Sequence, residues 1–288
     1  MKIGFIGYGE AARAIAEGLQ ENGLAREDVY GWSRSIAQAD PATINVTVAA
    51  SKEDIFKLCK VVICITPASA SVAVAEECKG YMTPDHIYVD VSSSSPKVMQ
   101  AVWNIIKDTG VQFADGALLD TVPKYRHKTP TVLAGNGAQA AFDALSTYGW
   151  AVEVVGDQPG SACAIKMLRS VYTKSLLGVC FEMLEAAAHY GIEDYIMESL
   201  AKTMDDKDFV SGMNGRTCGG VLHAGRRSVE LMMAADMLSE DGLSSGVCRA
   251  SAEKLKEIGE LNLKEKLGDF RPKTWKEAIE CIQKAKQA

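Results

Sequence analysis

Near its start the chain has a short apolar segment, residues 2–6, followed by Gly-Tyr-Gly-Glu-Ala-Ala and then by an amphipathic helical run. In such a turn the first glycine permits a tight bend, and the second lets the backbone approach a pyrophosphate. The small last residue lets the helix lie close to the strand. A strand, a GxGxxA turn and a helix in this order predict a dinucleotide-binding Rossmann domain. The predicted cofactor-binding residues of the turn are Gly7, Tyr8, Gly9, Glu10, Ala11 and Ala12.

The second predicted strand, residues 29–32, ends in Ser33-Arg34-Ser35. A site for NADH has Asp or Glu at this position to accept hydrogen bonds from the adenosine ribose, and residues 30–36 contain neither. A guanidinium flanked by two hydroxyl groups instead suits a 2′-phosphate. We therefore expect NADPH in preference to NADH, bound through Ser33, Arg34 and Ser35.

Further short apolar segments continue the alternation of strand and helix, at residues 46–49, 61–65, 87–91, 111–114 and 131–134. Ligands of open α/β sheets bind beyond the carboxyl ends of the strands. Thr66 and Pro67 follow one of these segments, and Ser92 and Ser93 follow the next. Singly, such residues are common helix caps and turn formers. On this fold we expect Thr66 and Pro67 to contact the cofactor, and Ser92 and Ser93 to contact the substrate.

From residue 160 onward strand signals stop and helical periodicity takes over. The longest helix is predicted between Gly156 and Gly191, with Ser161 as its N-cap, and its roughly 28 residues would span about 42 Å. Shorter helices are predicted at 194–204, 209–222, 224–238, 248–261 and 273–286. The predicted fold class is α/β. A Rossmann domain with a mostly parallel sheet (1–156) is followed by an all-α domain (157–288), which the long interdomain helix enters.

The long helix has one polar stripe, formed by Lys166, Arg169, Ser170 and Thr173 at helical spacing. A lysine on a mostly apolar helix is either a surface residue with a buried stem or an active-site base. Spacing alone leaves both interpretations open.

Composition narrows the class of protein. The chain has 288 residues and a net charge of −6, which argues against nucleic acid as its main partner. Its apolar start is too short for a signal peptide, and no apolar run approaches the ~18 residues of a membrane span. The eight cysteines form no CxxC pair and no zinc-ligand spacing, which is typical of small buried residues in a reducing compartment. We expect a cytoplasmic protein that binds no metal, membrane or nucleic acid.

Four segments resemble the β-hydroxyacid dehydrogenase superfamily, which includes 3-hydroxyisobutyrate and 6-phosphogluconate dehydrogenases. They are GFIGYGEAARAIAEGL, the Trp-Ser-Arg-Ser turn at 32–35, the Asp-Val-Ser-Ser strand end at 90–93, and the run from Gly160 to Lys166. The Lys-Met-Leu-Arg-Ser run at 166–170 resembles that of a phosphogluconate-dehydrogenase-like branch. The resemblance implies an NAD(P)-dependent dehydrogenase or reductase acting on CH–OH donors, with Lys166 as general acid/base. It also implies a homodimer formed through the helical domain.

Several positions depart from the pattern of that superfamily. Its usual substrate loop, Asp-Ala-Pro-Val-Ser-Gly-Gly, is replaced by Asp-Gly-Ala-Leu-Leu-Asp at 115–120, and its usual asparagine four residues after the lysine is Ser170. Basic residues stand instead on the helix, at Arg169, and in the loop after the altered strand, at His127. We expect Arg169, Ser170 and His127 to bind the carboxylate or phosphate of an anionic small-molecule substrate. A solvated basic surface is the alternative for the loop.

The leading prediction is an NADPH-dependent oxidoreductase that interconverts a small hydroxy acid and its oxo form. An imine reductase is an alternative, because the first thirty-five residues also resemble pyrroline-5-carboxylate reductases, although the C-terminal signature of those enzymes is absent. A non-catalytic NADP-binding sensor is a third possibility, because a sensor would show a substituted substrate loop. Lys166 after a glycine-rich entry argues against the sensor, which has no need of a base.

Overall fold

The structure is a computed structural model that describes residues 1–38 and 44–287. Internal contacts divide the chain into two compact units, Met1–Val171 and Tyr172–Ala288. The first unit combines a sheet with helices, and the second is helical, as predicted. Within the described ranges, no helix is both long enough and apolar enough to cross a bilayer.

The first unit is built on a sheet that has eight strands among the described residues, in the order β3-β2-β1-β4-β5-β6-β7-β8. The strands are β1 (Ile3–Ile6), β2 (Val29–Trp32), β3 (Thr47–Val48), β4 (Val61–Cys64), β5 (Ile87–Asp90), β6 (Gln112–Leu118), β7 (Thr131–Ala134) and β8 (Val152–Gly156). Neighbouring strands are parallel except β6 and β7, which are antiparallel. The predicted mostly parallel sheet is confirmed.

Helices cover both faces of this sheet. They are α1 (Glu10–Glu21), α2 (Lys52–Leu58), α3 (Ser71–Cys78), α4 (Pro96–Ile106), α5 (Val122–Tyr125) and α6 (Ala138–Ser146). One face packs Ile3 and Phe5 of β1 with α1 and α6, and the other packs Ile6 with α2, α3 and α4. Successive side chains of a strand point to opposite faces, so a sheet covered on both sides needs continuous apolar runs such as Val61–Cys64.

The strand bounds agree with the sequence prediction to within one residue, except for β6 and β8. β2 and β7 have the predicted bounds, and β4 and β5 each end one residue earlier. β6 continues past residue 114 to Leu118, because its last four residues pair with β7. The sequence does not predict β8, whose partly exposed residues lack the continuous apolar run of a buried strand.

The long helix, α7 (Ser161–Tyr190), continues across the division between the units and ends directly before Gly191, as predicted. The second unit continues with α8 (Glu193–Met204), α9 (Phe209–Glu240), α10 (Gly246–Gly259), α11 (Leu263–Lys266) and α12 (Trp275–Gln287). α9 is kinked at His223, whose φ of −127° is non-helical, between the two helices that the sequence predicts. α9 and α10 pack closely, since a Cβ on Gly259 would lie 2.7 Å from the Cα of Gly225.

The start of α7 differs from the prediction that Ser161 is its N-cap. Ser161 is the first helical residue, and the cap is a carboxylate from β6, Asp115. Its Oδ2 atom accepts hydrogen bonds from the backbone N–H groups of Gly160, Ala162 and Cys163, at 2.8, 3.1 and 3.2 Å. These bonds join the beginning of α7 to the sheet. Because α7 begins in contact with the sheet, the division between the two units falls inside this helix, whereas the sequence prediction places the domain boundary before it.

Candidate functional site

A cleft of about 350 Å³ lies at the carboxyl ends of β1, β2 and β4. Eight predicted cofactor-binding residues line it: Gly7, Tyr8, Gly9, Ser33, Arg34, Ser35, Thr66 and Pro67. Trp32, Lys52 and Glu77 line it as well, together with Ala73 and Val74 of α3. Segments that are far apart in the sequence therefore meet at one cleft.

The glycine turn has the geometry that its sequence predicts. Gly7 has a φ of 92°, and a Cβ there would lie 2.3 Å from a backbone carbonyl oxygen after β4, so the turn requires glycine. A Cβ on Gly9 would meet no described atom within 4 Å, so this backbone borders open space at the start of α1. Ala12 is buried in the core. Glu10 is exposed in the first turn and Ala11 packs against the core, and neither lines the cleft.

Polar residues of the cleft lining follow β2. The Oγ atom of Ser33 is buried and has no hydrogen-bond partner in the part of the chain that the structure describes. Arg34, the next residue, is exposed in the cleft lining. A buried hydroxyl beside a guanidinium offers a neutral donor and a charged fork to the oxygens of a phosphate. The residues present therefore fit the 2′-phosphate of an NADP-type cofactor.

A second cation, which the sequence does not single out, lies in the same cleft. Lys52 begins α2, and its Nζ atom lies 4.6 Å from the ring centroid of Trp32. The same ammonium forms an ion pair with the carboxylate of Glu77 on α3. The residues that contact Lys52 lie on β2 and α3, so the sequence of α2 alone does not predict these contacts.

The ends of β4 and β5 are joined by hydrogen bonds. The backbone N–H of Thr66 donates to the Oγ atom of Ser92 at 3.0 Å, and the two hydroxyl oxygens are 3.3 Å apart. The backbone N–H of Ser92 donates in turn to Oδ1 of the buried Asp90 at 2.9 Å. Ser92 is itself buried, and its hydrogen bonds connect Thr66 in the cleft wall to Asp90 at the end of β5.

Lys166 contacts Ser93, which follows the carboxyl end of β5. Its Nζ atom donates a hydrogen bond to the Oγ atom of Ser93 at 2.5 Å. Ser93 has a φ of 55°, in the left-handed region that residues other than glycine rarely adopt. The structure thus brings together Ser92, Ser93 and Lys166, three of the residues that the sequence predicts at the substrate.

Two buried carboxyl groups lie beneath this group of residues. Asp90 and Asp115 are register neighbours on β5 and β6. Burial raises the pKa of Asp90 to about 6, hydrogen bonds from Ser92 oppose the rise, and the charge of Asp115 adds to it. Burial also raises the pKa of Asp115, against the hydrogen bonds from α7. Cys163 Sγ donates to Asp115 Oδ1 at 3.0 Å, and burial followed by the charge of Asp115 raises the pKa of this thiol.

Arg169 and Ser170 lie one turn beyond Lys166 on α7. Arg169 is exposed and Ser170 is half-buried. Their contact with a substrate stays a prediction.

His127 does not join this group of residues. Its side chain is buried, and its Nε2 atom lies 2.9 Å from Nδ2 of Asn22 near the end of α1. Its ring fills the space over Gly18, where a Cβ would lie 1.9 Å from Nδ1. The neighbouring Arg126 is bonded to Glu21, also on α1. The basic loop is therefore docked on α1, and packing accounts for His127 where the sequence predicts a substrate contact.

Family models match two parts of the chain. The model described as NADP oxidoreductase coenzyme F420-dependent matches residues 2–94, a range that contains the residues that line the cleft and also Ser93. A model described as a domain of unknown function (DUF1932) matches residues 187–258 of the helical unit.

Comparison with individual proteins extends the likeness to most of the chain. A conserved protein of unknown function, whose structure reveals similarity with 3-hydroxyacid dehydrogenases, is 30% identical, with a TM-score of 0.63 over 90% of this chain and 98% of that one. The mitochondrial 3-hydroxyisobutyrate dehydrogenase of Drosophila melanogaster is 24% identical over 86% of this chain and 78% of its own. An imine reductase from Myxococcus stipitatus, in complex with NADP⁺, is 17% identical with a TM-score of 0.72, over 90% of this chain and 94% of its own. That last likeness concerns the fold alone.

The chain belongs to the 3-hydroxyacid dehydrogenase-like proteins of the β-hydroxyacid dehydrogenase superfamily, a class of NAD(P)-dependent oxidoreductases. The resemblance that the sequence motifs indicate is therefore confirmed at the level of the superfamily.

Proposed function

We propose that this chain is an NADPH-dependent oxidoreductase that interconverts a small hydroxy acid and its oxo form, with Lys166 as the general acid/base. One set of contacts carries the proposal. Lys166 donates a hydrogen bond to Ser93, and the adjacent Ser92 is bonded to Thr66 in the cleft wall. This arrangement supports a proton-transfer group beside the carboxyl ends of the strands, where the reacting end of a dinucleotide binds.

The cleft lining supports a specific mode of cofactor binding. The N–H groups at the glycine turn and the start of α1 would bind the pyrophosphate. Ser33, Arg34 and Ser35 would bind the 2′-phosphate, and Thr66 and Pro67 would border the nicotinamide ribose. When bound, the cofactor supplies or accepts the hydride.

Lys166 would handle the proton that accompanies hydride transfer. In the reductive direction its ammonium group donates a proton to the substrate oxygen, and in the oxidative direction its amine takes the hydroxyl proton. The hydrogen bond to Ser93 holds the Nζ atom at the sheet edge. Asp115 holds the helix from which Lys166 projects, so the nitrogen has a fixed place in either direction.

The substrate would be anionic. Asp115, the first residue of the altered loop, is occupied in capping α7. Arg169 and Ser170, one turn beyond Lys166, are the residues that we propose for a substrate carboxylate or phosphate. His127 is left out because its side chain is buried against α1.

Imine reduction is the second candidate. The superfamily's usual substrate loop is replaced at 115–120, and an imine needs no carboxylate clamp. The fold likeness to imine reductases covers most of the chain, which makes cyclic imines a sensible comparison substrate.

A panel assay tests the function. NADPH oxidation is followed with 2-oxo and 3-oxo acids, their uncharged esters and cyclic imines. The proposal expects turnover of at least one oxo acid, and much poorer turnover of its ester because the ester lacks the anionic group. Turnover of imines alone would favour the second candidate. Tight NADPH binding without turnover of any compound would favour a non-catalytic NADP-binding sensor.

We also propose that the chain forms a homodimer through its helical unit. Large apolar side chains of α7, α8 and α9 are exposed, including Leu177, Phe181, Tyr195, Met197 and Met233. Exposed apolar patches of this kind mark association surfaces on soluble proteins.

A further inference from the structure

The ion pair in the cofactor cleft involves three different elements of the first unit. Lys52 projects from the start of α2, Glu77 from α3, and Trp32 ends β2. The Lys52 side chain is only 17% exposed and that of Glu77 is 59% exposed. The Trp32 ring centroid lies 4.6 Å from the ammonium nitrogen, so the ammonium contacts both the end of β2 and α3.

The rest of the lining shows what the ion pair faces. Ala70, Ala73, Val74 and Glu77 follow one another at helical spacing along one wall of the cleft. The first three are small or apolar and the fourth is charged, so the charge lies at one end of the wall. Arg34 lines the cleft as well, so the lining of the cleft contains two cations and one carboxylate.

Glu77 therefore competes with any anion that enters the cleft near Lys52. A carboxylate has one negative charge, whereas a phosphate monoester has about −1.5 to −2 at pH 7 and three acceptor oxygens. A lysine ammonium is a point charge on a flexible four-carbon stem, so it can exchange one oxygen partner for another by rotating its side chain.

We propose that Lys52 is a specificity-determining residue for NADPH, and that it exchanges Glu77 for the 2′-phosphate when NADPH binds. With NADH, which has no 2′-phosphate, the ammonium stays paired with Glu77. The ion pair thus sets the preference between the two dinucleotides, in addition to the contact made by Arg34. This inference rests on the proposed cofactor function.

Two substitutions in the full-length protein test the exchange, because their expected effects have opposite signs. Dissociation constants for NADPH and NADH are measured by isothermal titration calorimetry. Lys52→Met is expected to raise the Kd for NADPH about tenfold, the scale of one charge-assisted contact, and to leave the Kd for NADH within about twofold. Glu77→Gln removes the competitor, so it is expected to lower the Kd for NADPH several-fold and to leave NADH unchanged.

Lys57→Met is the matched control, because Lys57 lies on the same helix but outside the cleft, where it pairs with Glu53. Both dissociation constants should match those of the wild type. An unchanged NADPH Kd in Lys52→Met overturns the inference. So does weaker NADPH or NADH binding in Glu77→Gln, which would mean that Glu77 accepts hydrogen bonds from the nucleotide. Wild-type protein that binds neither dinucleotide overturns the proposed function as well, so the two failures are distinguishable.

Discussion

Ser93 is the residue whose backbone conformation most needs a functional reason. Its φ of 55° costs a residue with a side chain about 1 kcal/mol, because the Cβ atom approaches the following carbonyl oxygen. Such strain persists where the surrounding structure determines it, and it is concentrated at functional sites. Here the strained residue presents its hydroxyl group to Lys166. The strain is therefore consistent with a serine kept for its contact with the lysine.

His127 makes a pH-dependent contribution to stability. Burial lowers its pKa in the folded chain, with Lys128 and Arg126 adding to the effect. The unfolded histidine, with a pKa near 6.5, then binds a proton over a pH range in which the folded ring does not. The contribution of His127 to the free energy of unfolding is therefore expected to fall as the pH drops below about 6.5. Urea unfolding of the wild type and His127→Gln between pH 5 and 8 measures the effect.

Relative to the variant, the wild type is expected to lose stability as the pH falls below about 6.5. Asp90 acts in the opposite sense in both proteins. Its folded pKa of about 6 exceeds its unfolded value, so its contribution falls as the pH rises from about 4 to 6. This effect cancels when the two proteins are compared. Identical slopes for both would contradict the account of His127.

Some site residues can be predicted from the sequence and others cannot, for a physical reason. Gly7 is predictable because the backbone geometry there demands glycine, and Gly9 because it belongs to the same local turn and borders open space. Lys52 is not, because its meaning depends on Trp32 and Glu77, its neighbours only in the folded chain. The one local signal for Lys52 is that a basic residue stands at the start of a helix whose first turn is otherwise acidic. His127 misleads in the opposite way, since a basic loop gives no sign that α1 will cover it.

At the scale of elements, the anchoring of α7 to β6 is the central contact. The Asp115 carboxylate accepts three backbone hydrogen bonds and one from the Cys163 thiol. Hydrogen bonds to a charged acceptor and a helix cap each stabilise a fold by about 1 kcal/mol or more. Asp115→Ala is therefore expected to lower the free energy of unfolding by about 2–4 kcal/mol, and to lower kcat because Lys166 loses its fixed position. Urea unfolding and steady-state kinetics measure both.

Asp120→Ala is the control for this prediction. Asp120 is exposed, and its carboxylate accepts a hydrogen bond only from the N–H of the next residue among the bonds of the described chain. It should change stability by less than about 1 kcal/mol. Equal losses in the two variants would show that Asp115 has no special role at α7.

The elements themselves are predictable to different degrees. The buried central strands are recognisable from their apolar runs, as Val61–Cys64 shows. β8 escapes because an edge strand with one exposed face has no such run. The capping of α7 escapes because the capping group lies 45 to 48 residues earlier in the chain. Local signals mark the end of this helix, at Gly191, better than its beginning.

At the scale of the whole molecule, the exposed apolar surface of the helical unit predicts association. Phe181 is 64% exposed and Tyr195 is 73% exposed, and burying such side chains between two copies would remove them from water. Multi-angle light scattering is expected to give about twice the chain mass of 30.9 kDa. Phe181→Asp should shift the mass toward the monomer, whereas Lys207→Asp, a change at an exposed polar position, should not. A wild-type monomer at micromolar concentration would contradict the proposal.

The central claim is that Lys166 transfers the proton that accompanies hydride transfer. The direct measurement is the single-turnover rate of NADPH oxidation by Lys166→Met, with the oxo acid that the wild type reduces in the panel. The rate is expected to fall about 10²–10⁴-fold while the Kd for NADPH stays within about twofold, because the lysine handles the proton and leaves the dinucleotide in place. Lys174→Met, an exposed lysine of the same helix, should keep the wild-type rate. A wild-type rate in Lys166→Met would contradict the assignment of the base.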